Sequence, residues 1–294
     1  MNSRNTLTGY IAICVSMLFW GISFVWTKQL LNAGFPVFTI VFFRLFIASA
    51  IFVTLFSLRH KLEKIRKEDR KLFVWLAIFE PFLYFIGEEY GLQQVSASFA
   101  SVIIGLIPIV VSVTMYFAEG EKLSWTLLLG TIISIAGICL MTFEANSTLE
   151  YNFKGLMWLM LALAAAAGYS VLLAKLVRKY SPITITTMQN LVAIPFYLPF
   201  VCIFDLQHWG SISWSGSAIL NLVCLAVLCS AGAYMLYSYA AKQISITKLT
   251  VFTNAIPIVT IIVAALMGLE AFTLQKFAGI VVVVFGVILS QRKK

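Results

Sequence analysis

Charge is scarce in this chain. Asp, Glu, Lys and Arg together make up 11% of its 294 residues, where a soluble domain carries about a quarter. A water-facing surface cannot be assembled from that composition, which excludes an ordinary globular protein. Histidine is nearly absent: His60 and His208 are the two, in gaps on opposite sides of the apolar runs, so an intramembrane HExxH metal site is excluded. Aspartate is limited to Asp69 and Asp205, also in gaps, which excludes an intramembrane aspartyl dyad. There is no GxxxxGK(S/T) phosphate loop, so ATP is not expected to drive the protein directly. Five cysteines (Cys14, Cys139, Cys202, Cys224, Cys229) all fall inside apolar runs, with no metal-type CxxC pair and no secreted disulfide framework. They read as small buried hydrophobes. Nothing here asks for an enzyme, a metal or a cofactor.

What the chain does have is long hydrophobic runs. Apolar residues make up 61% and mean hydropathy is +0.95. A spanning helix needs about 20 mostly apolar residues, and ten runs qualify: 8–31, 37–58, 72–92, 96–117, 124–143, 154–177, 183–204, 217–240, 246–267 and 273–290. The first is longer than the apolar part of a signal peptide, follows only Arg4 and lacks a small-x-small cleavage site, so it reads as a retained helix. The net charge of +9 is concentrated in alternate gaps. With the N-terminus inside, seventeen Lys and Arg residues fall on the cytoplasmic side, including seven between Arg59 and Lys71. Only Lys28, Lys154 and Lys276 fall opposite, and Arg44 lies within a run. The positive-inside rule then places both termini in the cytoplasm. No basic face interleaved with aromatics appears, so nucleic acid is not an expected partner. The stretch from Arg59 to Lys71 reads as a solvated loop that can touch anionic lipid.

The chain is also written twice. Tyr90–Val110 matches Tyr239–Val259, with identities at Tyr90/Tyr239, Gln94/Gln243, Ser96/Ser245, Val102/Val251 and the four residues from Ile107 and from Ile256. The echo extends outward. Trp20-Gly21-Ile22-Ser23 and Lys28 align with Ala167-Gly168-Tyr169-Ser170 and Lys175, while Glu121, Gly130 and Gly137 align with Glu270, Gly279 and Gly286. Such a fixed-period echo marks a duplicated bundle. Five spans per copy is an odd number, so the second copy would enter the membrane upside down, an architecture frequent in transporters.

The motifs WGISFVWTK in the first run, YGLQQVSASFASVIIGLIPIVV around the fourth, and Glu-x-Leu-(Ser/Thr) ahead of the fifth resemble the EamA branch of the drug/metabolite transporter superfamily. The resemblance covers nearly the whole chain. It implies an all-α membrane protein of ten transmembrane helices, as two inverted five-helix repeats at 1–145 and 150–294, around a central cavity. It also implies a secondary transporter, usually an exporter of small metabolites, amino acids or drugs, in the cell membrane (the inner membrane in a bacterium). The cargo is not specified. Uptake or exchange of a phosphorylated or nucleotide-linked sugar is the alternative, and a receptor or scaffold without transport a further one.

Intramembrane charges by default mark a pathway. Arg44 lies in the second run and Glu80, Glu88 and Glu89 in the third. Glu80, Tyr84 and Glu88 are spaced i, i+4, i+8 and share one helix face. Two readings stay open: the face lines the cavity and takes a polar or cationic group or a proton, or Arg44 pairs with Glu80 or Glu88 to join two helices. Glu89 is expected to point elsewhere, toward the outer interface. The aligned positions of the second copy are neutral, with Asn190 for Arg44, Cys229 for Glu80 and Tyr237 for Glu88. Pro108 and Pro257 fall about halfway along their runs, where a freed carbonyl or a bend can shape a cavity; Asn254 sits just ahead of Pro257. Trp20, Ser23, Tyr169, Tyr234 and Tyr237 complete the candidate pathway, with Trp26 a weaker aromatic candidate. A membrane carboxylate permits proton coupling, and facilitated diffusion is equally compatible. Gly130/Gly137 and Gly279/Gly286, each seven apart, are expected to let helices approach closely, with a homodimer contact as an option. Ser124 and Thr273 read as N-caps, and Lys28 and Lys175 as snorkelling anchors or substrate contacts.

Overall fold

The computed structural model describes residues 3–57, 62–121, 124–142, 152–269 and 271–291. The junction between the two expected halves lies outside these, as do Arg59, His60, Lys61, Lys122, Glu270 and the last three residues. The described chain runs α1 (Ser3–Asn32), α2 (Val37–Phe52), α3 (Arg70–Ala77), α4 (Tyr84–Gln94), α5 (Ala97–Ile104), α6 (Ile107–Glu119) and α7 (Trp125–Thr142). It continues with α8 (Phe153–Leu176), α9 (Pro182–Phe200), α10 (Gly216–Cys224), α11 (Tyr234–Ala241), α12 (Ile246–Thr250), α13 (Ala255–Leu266) and α14 (Leu274–Gln291). No strand occurs among the described residues.

Among the described residues eight helical rods are long and apolar enough to cross a membrane: Thr6–Asn32, Val37–Phe56, Ala97–Glu119, Phe153–Leu176, Pro182–Ser211, Gly216–Ala241, Ile246–Leu266 and Leu274–Gln291. Two more of the expected runs are helical without meeting both measures. The apolar part of α7 is shorter, Trp125–Leu140, and α3–α4 carries the carboxylates and is broken at Glu80. Large apolar side chains such as Phe117, Leu266 and Leu274 point outward, which is favourable against lipid.

Backbone irregularities recur where the sequence repeats. The π-helical turn Ile78–Leu83 between α3 and α4 lies opposite Leu225–Ala233 between α10 and α11 in the alignment. α2 and α9 both unwind into π turns, Val53–Ser57 and Val201–Asp205. The rod of α5 and α6 breaks at Gly105–Leu106, and that of α12 and α13 at the 3₁₀ turn Val251–Asn254. Pro108 and Pro257 therefore sit in the opening turns of α6 and α13 rather than mid-helix. There the missing N–H has no helical partner to lose and the fixed φ suits a starting helix.

Packing repeats as well. α7 lies along α14 and α2 along α9. α4 lies along α8 as α1 lies along 225–233 and α11, and α6 along α8 as α13 along α1. Exchanging the halves maps each of these contacts onto another or onto itself, as a two-fold relation does. The glycines show it at atomic scale. A Cβ on Gly130 would meet the Gly286 carbonyl oxygen at 2.5 Å, and one on Gly137 the Gly279 carbonyl oxygen at 2.8 Å. Only glycine permits that approach. The caps are made: Ser124 Oγ accepts from Leu127 N (3.1 Å) and Thr273 Oγ1 from Lys276 N (3.3 Å).

One expectation about the ends of the rods changes and another is extended. Lys28 is no snorkelling anchor: its ammonium donates to the Leu92 and Val95 carbonyls (2.6 and 3.0 Å) and closes the C-terminus of α4, where orphan carbonyls favour a cation. The described part of the basic loop keeps most of its charged side chains exposed, as expected, but is also pinned to the neighbouring turn. Asp69 is buried, holding Lys179 Nζ at 2.6 Å and accepting from the Tyr180 hydroxyl at 2.7 Å. Glu63 accepts from Ser181 N at 2.6 Å. The loop carries acidic residues that meet the orphan N–H groups and basic residues of the α8–α9 turn, which its net charge conceals.

Candidate functional site

The breaks surround a cavity. Trp20, Ser23 and Phe24 of α1, Arg44 of α2, Glu80, and Tyr84, Phe85 and Glu88 of α4 form one side. Ile107, Ala166, Tyr169, Ser170, Tyr234, Tyr237, Thr253 and Ile256 form the other. The space open to the centre of a water-sized molecule is about 40 Å³, room for two or three waters.

Glu80 is where the third run leaves the helix. Its backbone is extended, at φ −148° and ψ 120°, and Pro81 supplies no N–H to rejoin the ladder. The Tyr197 hydroxyl bonds to the Pro81 and Phe82 carbonyls there, 2.9 Å from each. The Glu80 carboxylate accepts from the Tyr234 hydroxyl at 2.5 Å. Tyr234 and Tyr237 each lie 5.0 Å from the Trp20 ring, and Tyr169 lies 6.5 Å from Tyr234 in an edge-on contact. These aromatics form one wall of the cavity, and Tyr234 is the one whose hydroxyl is seen on a carboxylate.

Arg44 pairs with neither Glu80 nor Glu88. Its Nη1 holds Glu89 Oε1 at 2.8 Å, both side chains being almost wholly buried. Its Nε donates to Ser230 Oγ at 3.2 Å, and its guanidinium lies 4.3 Å over the Phe85 ring. Glu89 is therefore not an interfacial residue but the counter-ion of Arg44. A buried guanidinium needs both a charge partner and further acceptors, and Glu89 on the α2-facing side of α4 supplies the charge. Glu88, one residue earlier, faces the cavity with no hydrogen bond or ion pair shown to it.

Nine expected pathway residues line the cavity together: Trp20, Ser23, Arg44, Glu80, Tyr84, Glu88, Tyr169, Tyr234 and Tyr237. Four do not. Asn190 donates to the Ser230 carbonyl at 3.1 Å, so it meets the same residue as Arg44, its aligned counterpart. Asn254 is fully buried behind the wall, and Pro108 and Pro257 yield their places to Ile107 and Ile256. Trp26 packs on a separate cluster around Leu30 and Leu225. Ser170 was missed, although its alignment with Ser23 signals it, since both line the cavity. Phe85, Ser230 and Tyr197 carried no sequence signal beyond their residue type.

The model of the EamA-like transporter family matches residues 7–143 and again 153–291. The chain belongs to the EamA-like transporter family. Relatives of this EamA protein include an uncharacterized transporter of Archaeoglobus fulgidus, 27% identical and covering 97% of this chain and 99% of its own. The transporter YcxC of Bacillus subtilis is 26% identical over 95% of this chain and 91% of its own, and a chloroplastic WAT1-related protein of Arabidopsis thaliana 26% over 97% and 70%. A crystal structure of a protein 18% identical superposes with a TM-score of 0.75, covering 99% of each chain, and shows the same fold. This EamA protein is a multi-pass membrane transporter, its apolar rods set in a lipid bilayer.

Proposed function

We propose that the protein exports a small amine-bearing metabolite, amino acid or drug-like compound by alternating access, exchanging it for protons in the central cavity. One observation carries the reading: the cavity wall holds two carboxylates, Glu80 and Glu88, and one guanidinium, Arg44, whose ion pair is made behind the wall with a third carboxylate, Glu89. Glu89 neutralises Arg44, so the other two carboxylates are in excess. Buried charge without compensation is expensive, and a cationic ligand or protons are what can compensate it. Trp20, Tyr234 and Tyr237 offer the ring faces on which an organic cation rests. The alternative, exchange of a phosphorylated or nucleotide-linked sugar, needs spare cationic groups. Arg44 is the one cation on the wall and it is already paired.

The architecture in which this works is two inverted five-helix repeats with both termini in the cytoplasm, the halves rocking about the cavity. The aligned backbone breaks, the exchangeable helix contacts and the excess of Lys and Arg in alternate gaps support it. The test is a stabilisation screen of amino acids, sugars and organic cations on purified protein, followed by flux in proteoliposomes. The expected outcome is that an amine stabilises the protein and moves against an imposed pH gradient. Selective stabilisation by a sugar phosphate would overturn the reading.

A further inference from the structure

Behind Tyr169 the cavity wall does not become apolar. Thr186, Thr187, Gln189 and Asn190 of α9 are wholly buried, and so is Ser238 of α11. The hydroxyls of Thr186 and Thr187 and Oδ1 of Asn190 make no hydrogen bond within the protein, and the Tyr169 hydroxyl, the Gln189 amide and the Ser238 hydroxyl stand near one another without a well-formed bond. Tyr169 lines the cavity together with Glu80. Buried polar atoms in folded proteins find partners at rates above nine in ten, so a concentration of orphans in one place is itself an observation. In the first copy Ile40, Val41 and Phe43 stand at the places of Thr186, Thr187 and Gln189, while Arg44 and Glu89 stand at those of Asn190 and Ser238. The polar side chains of Thr186, Thr187 and Gln189 belong to the second copy alone.

Hydrogen-bonded polar groups continue the run toward the start of α9. There Thr184 Oγ1 accepts from Glu63 N (3.0 Å) and from Ser181 Oγ (2.9 Å), and Ser181 N donates to Glu63. From Gln189 to Ser181 is about 12 Å at the helical rise. Polar groups thus continue from the cavity wall to the face that carries Asp69, Lys179 and Arg178. The charged and titratable groups bordering its inner end are Glu80 on the broken turn, Arg44 on α2, Glu88 and Glu89 on α4, and Tyr234 and Tyr237 on α11.

We propose that this seam between α8, α9 and α11 binds a file of water molecules that connects Glu80 to the aqueous face at Ser181. It carries protons by a route separate from the opening through which the substrate passes. The orphan hydroxyls and the Gln189 amide are the partners such waters need, each able to donate and to accept. The inference rests on the proton-coupled reading above. It adds where the protons enter and which residues hold the waters.

The experiment needs no known substrate. Purified full-length protein in lipid nanodiscs is moved from H₂O to D₂O, and the carboxylic C=O stretch, assigned with Glu80→Gln and Glu88→Gln, is followed by infrared spectroscopy. The wild type is expected to exchange within the mixing time. The double variant Thr187→Val with Gln189→Leu should slow exchange at least ten-fold, and Thr187→Ser should retain the fast rate. In parallel, brief X-ray radiolysis in ¹⁸O-water should label Tyr169 rapidly despite its burial, and several-fold more slowly in the double variant. Where the double variant does not fold, Thr187→Val alone, equal in shape, takes its place. A carboxylic band that exchanges as fast in the filled variant overturns the route. No labelling of Tyr169, or a higher melting temperature in Thr187→Val, shows a dry seam and overturns the waters. Absence of a carboxylic band at every pH with Tyr169 still labelled refutes proton coupling and the seam's proton role, while leaving a hydrated seam standing.

Discussion

At the scale of single residues, two adjacent glutamates are set apart by what each faces. Glu88 looks into the cavity and Glu89 holds Arg44 at 2.8 Å. Glu89→Gln leaves a buried guanidinium without its counter-ion, which costs about 3–5 kcal/mol, less whatever Glu88 regains by turning to Arg44. The expected outcome is a large fall in melting temperature. Glu88→Gln removes a carboxylate with no bonded partner, so its melting temperature should be equal or higher, while flux in proteoliposomes is lost. Equal melting temperatures for the two variants would contradict the division of labour. The sequence displayed the ingredients: spacing put Glu80, Tyr84 and Glu88 on one face, and all three line the cavity. It did not display the partner of Arg44. That choice depends on how α4 is turned against α2, and the break at Glu80 resets the turn without leaving a mark in the spacing. The same holds for the orphan groups of α9. Their residue types are plain, but burial without partners is a property of packing.

At the scale of elements, the repeat was legible because duplicated backbone needs duplicated residues. The Ile-Pro-Ile-Val copies led to the paired breaks, though as opening turns of new helices rather than mid-helix kinks. The glycine pairs led to the contact of α7 with α14, since small residues at sevenfold spacing have few other uses in lipid. That contact gives a direct prediction. A Cβ at Gly130 would come within 2.5 Å of both the Gly286 carbonyl oxygen and Ser290 N, and backbone cannot step aside as a side chain can. Gly130→Val should therefore force α7 from α14 and lower stability by about 1–3 kcal/mol or more. Gly210→Val is the control, because a Cβ there meets nothing within 4 Å. Thermal unfolding of the two variants in the same detergent is the measurement. An equal effect at both positions would show that the close approach does not support the bundle.

At the scale of the whole molecule, rocking requires that closure at each end be made of contacts that can be given up. In the proposed cycle the candidates are the bonds of Lys28 to the carbonyls of α4 at one end and those of Asp69 and Glu63 to the α8–α9 turn at the other. Bonds from Lys179 and Tyr180 hold the Asp69 carboxyl below its ordinary value of 3.8. A depressed carboxylate contributes stability above its unfolded value and loses it only as pH falls through the lower folded value. The Asp69 latch is therefore intact through the range in which a transporter works. Any change in flux between pH 5 and pH 8 must come from elsewhere, and the excess carboxylates of the cavity are where it is expected. Asp69→Asn keeps the shape but surrenders the charge, so it should loosen that end alone. With a cysteine at Ser170, which lines the cavity, alkylation by a water-soluble maleimide added from the Asp69 side should speed up several-fold in Asp69→Asn. Added from the Lys28 side it should not; Lys28→Met should show the reverse. The pH profile of flux in Asp69→Asn should keep the wild-type midpoint. Faster labelling from both sides at once would mean a bundle that has come apart, and a shifted midpoint would place the working proton on the latch instead of in the cavity.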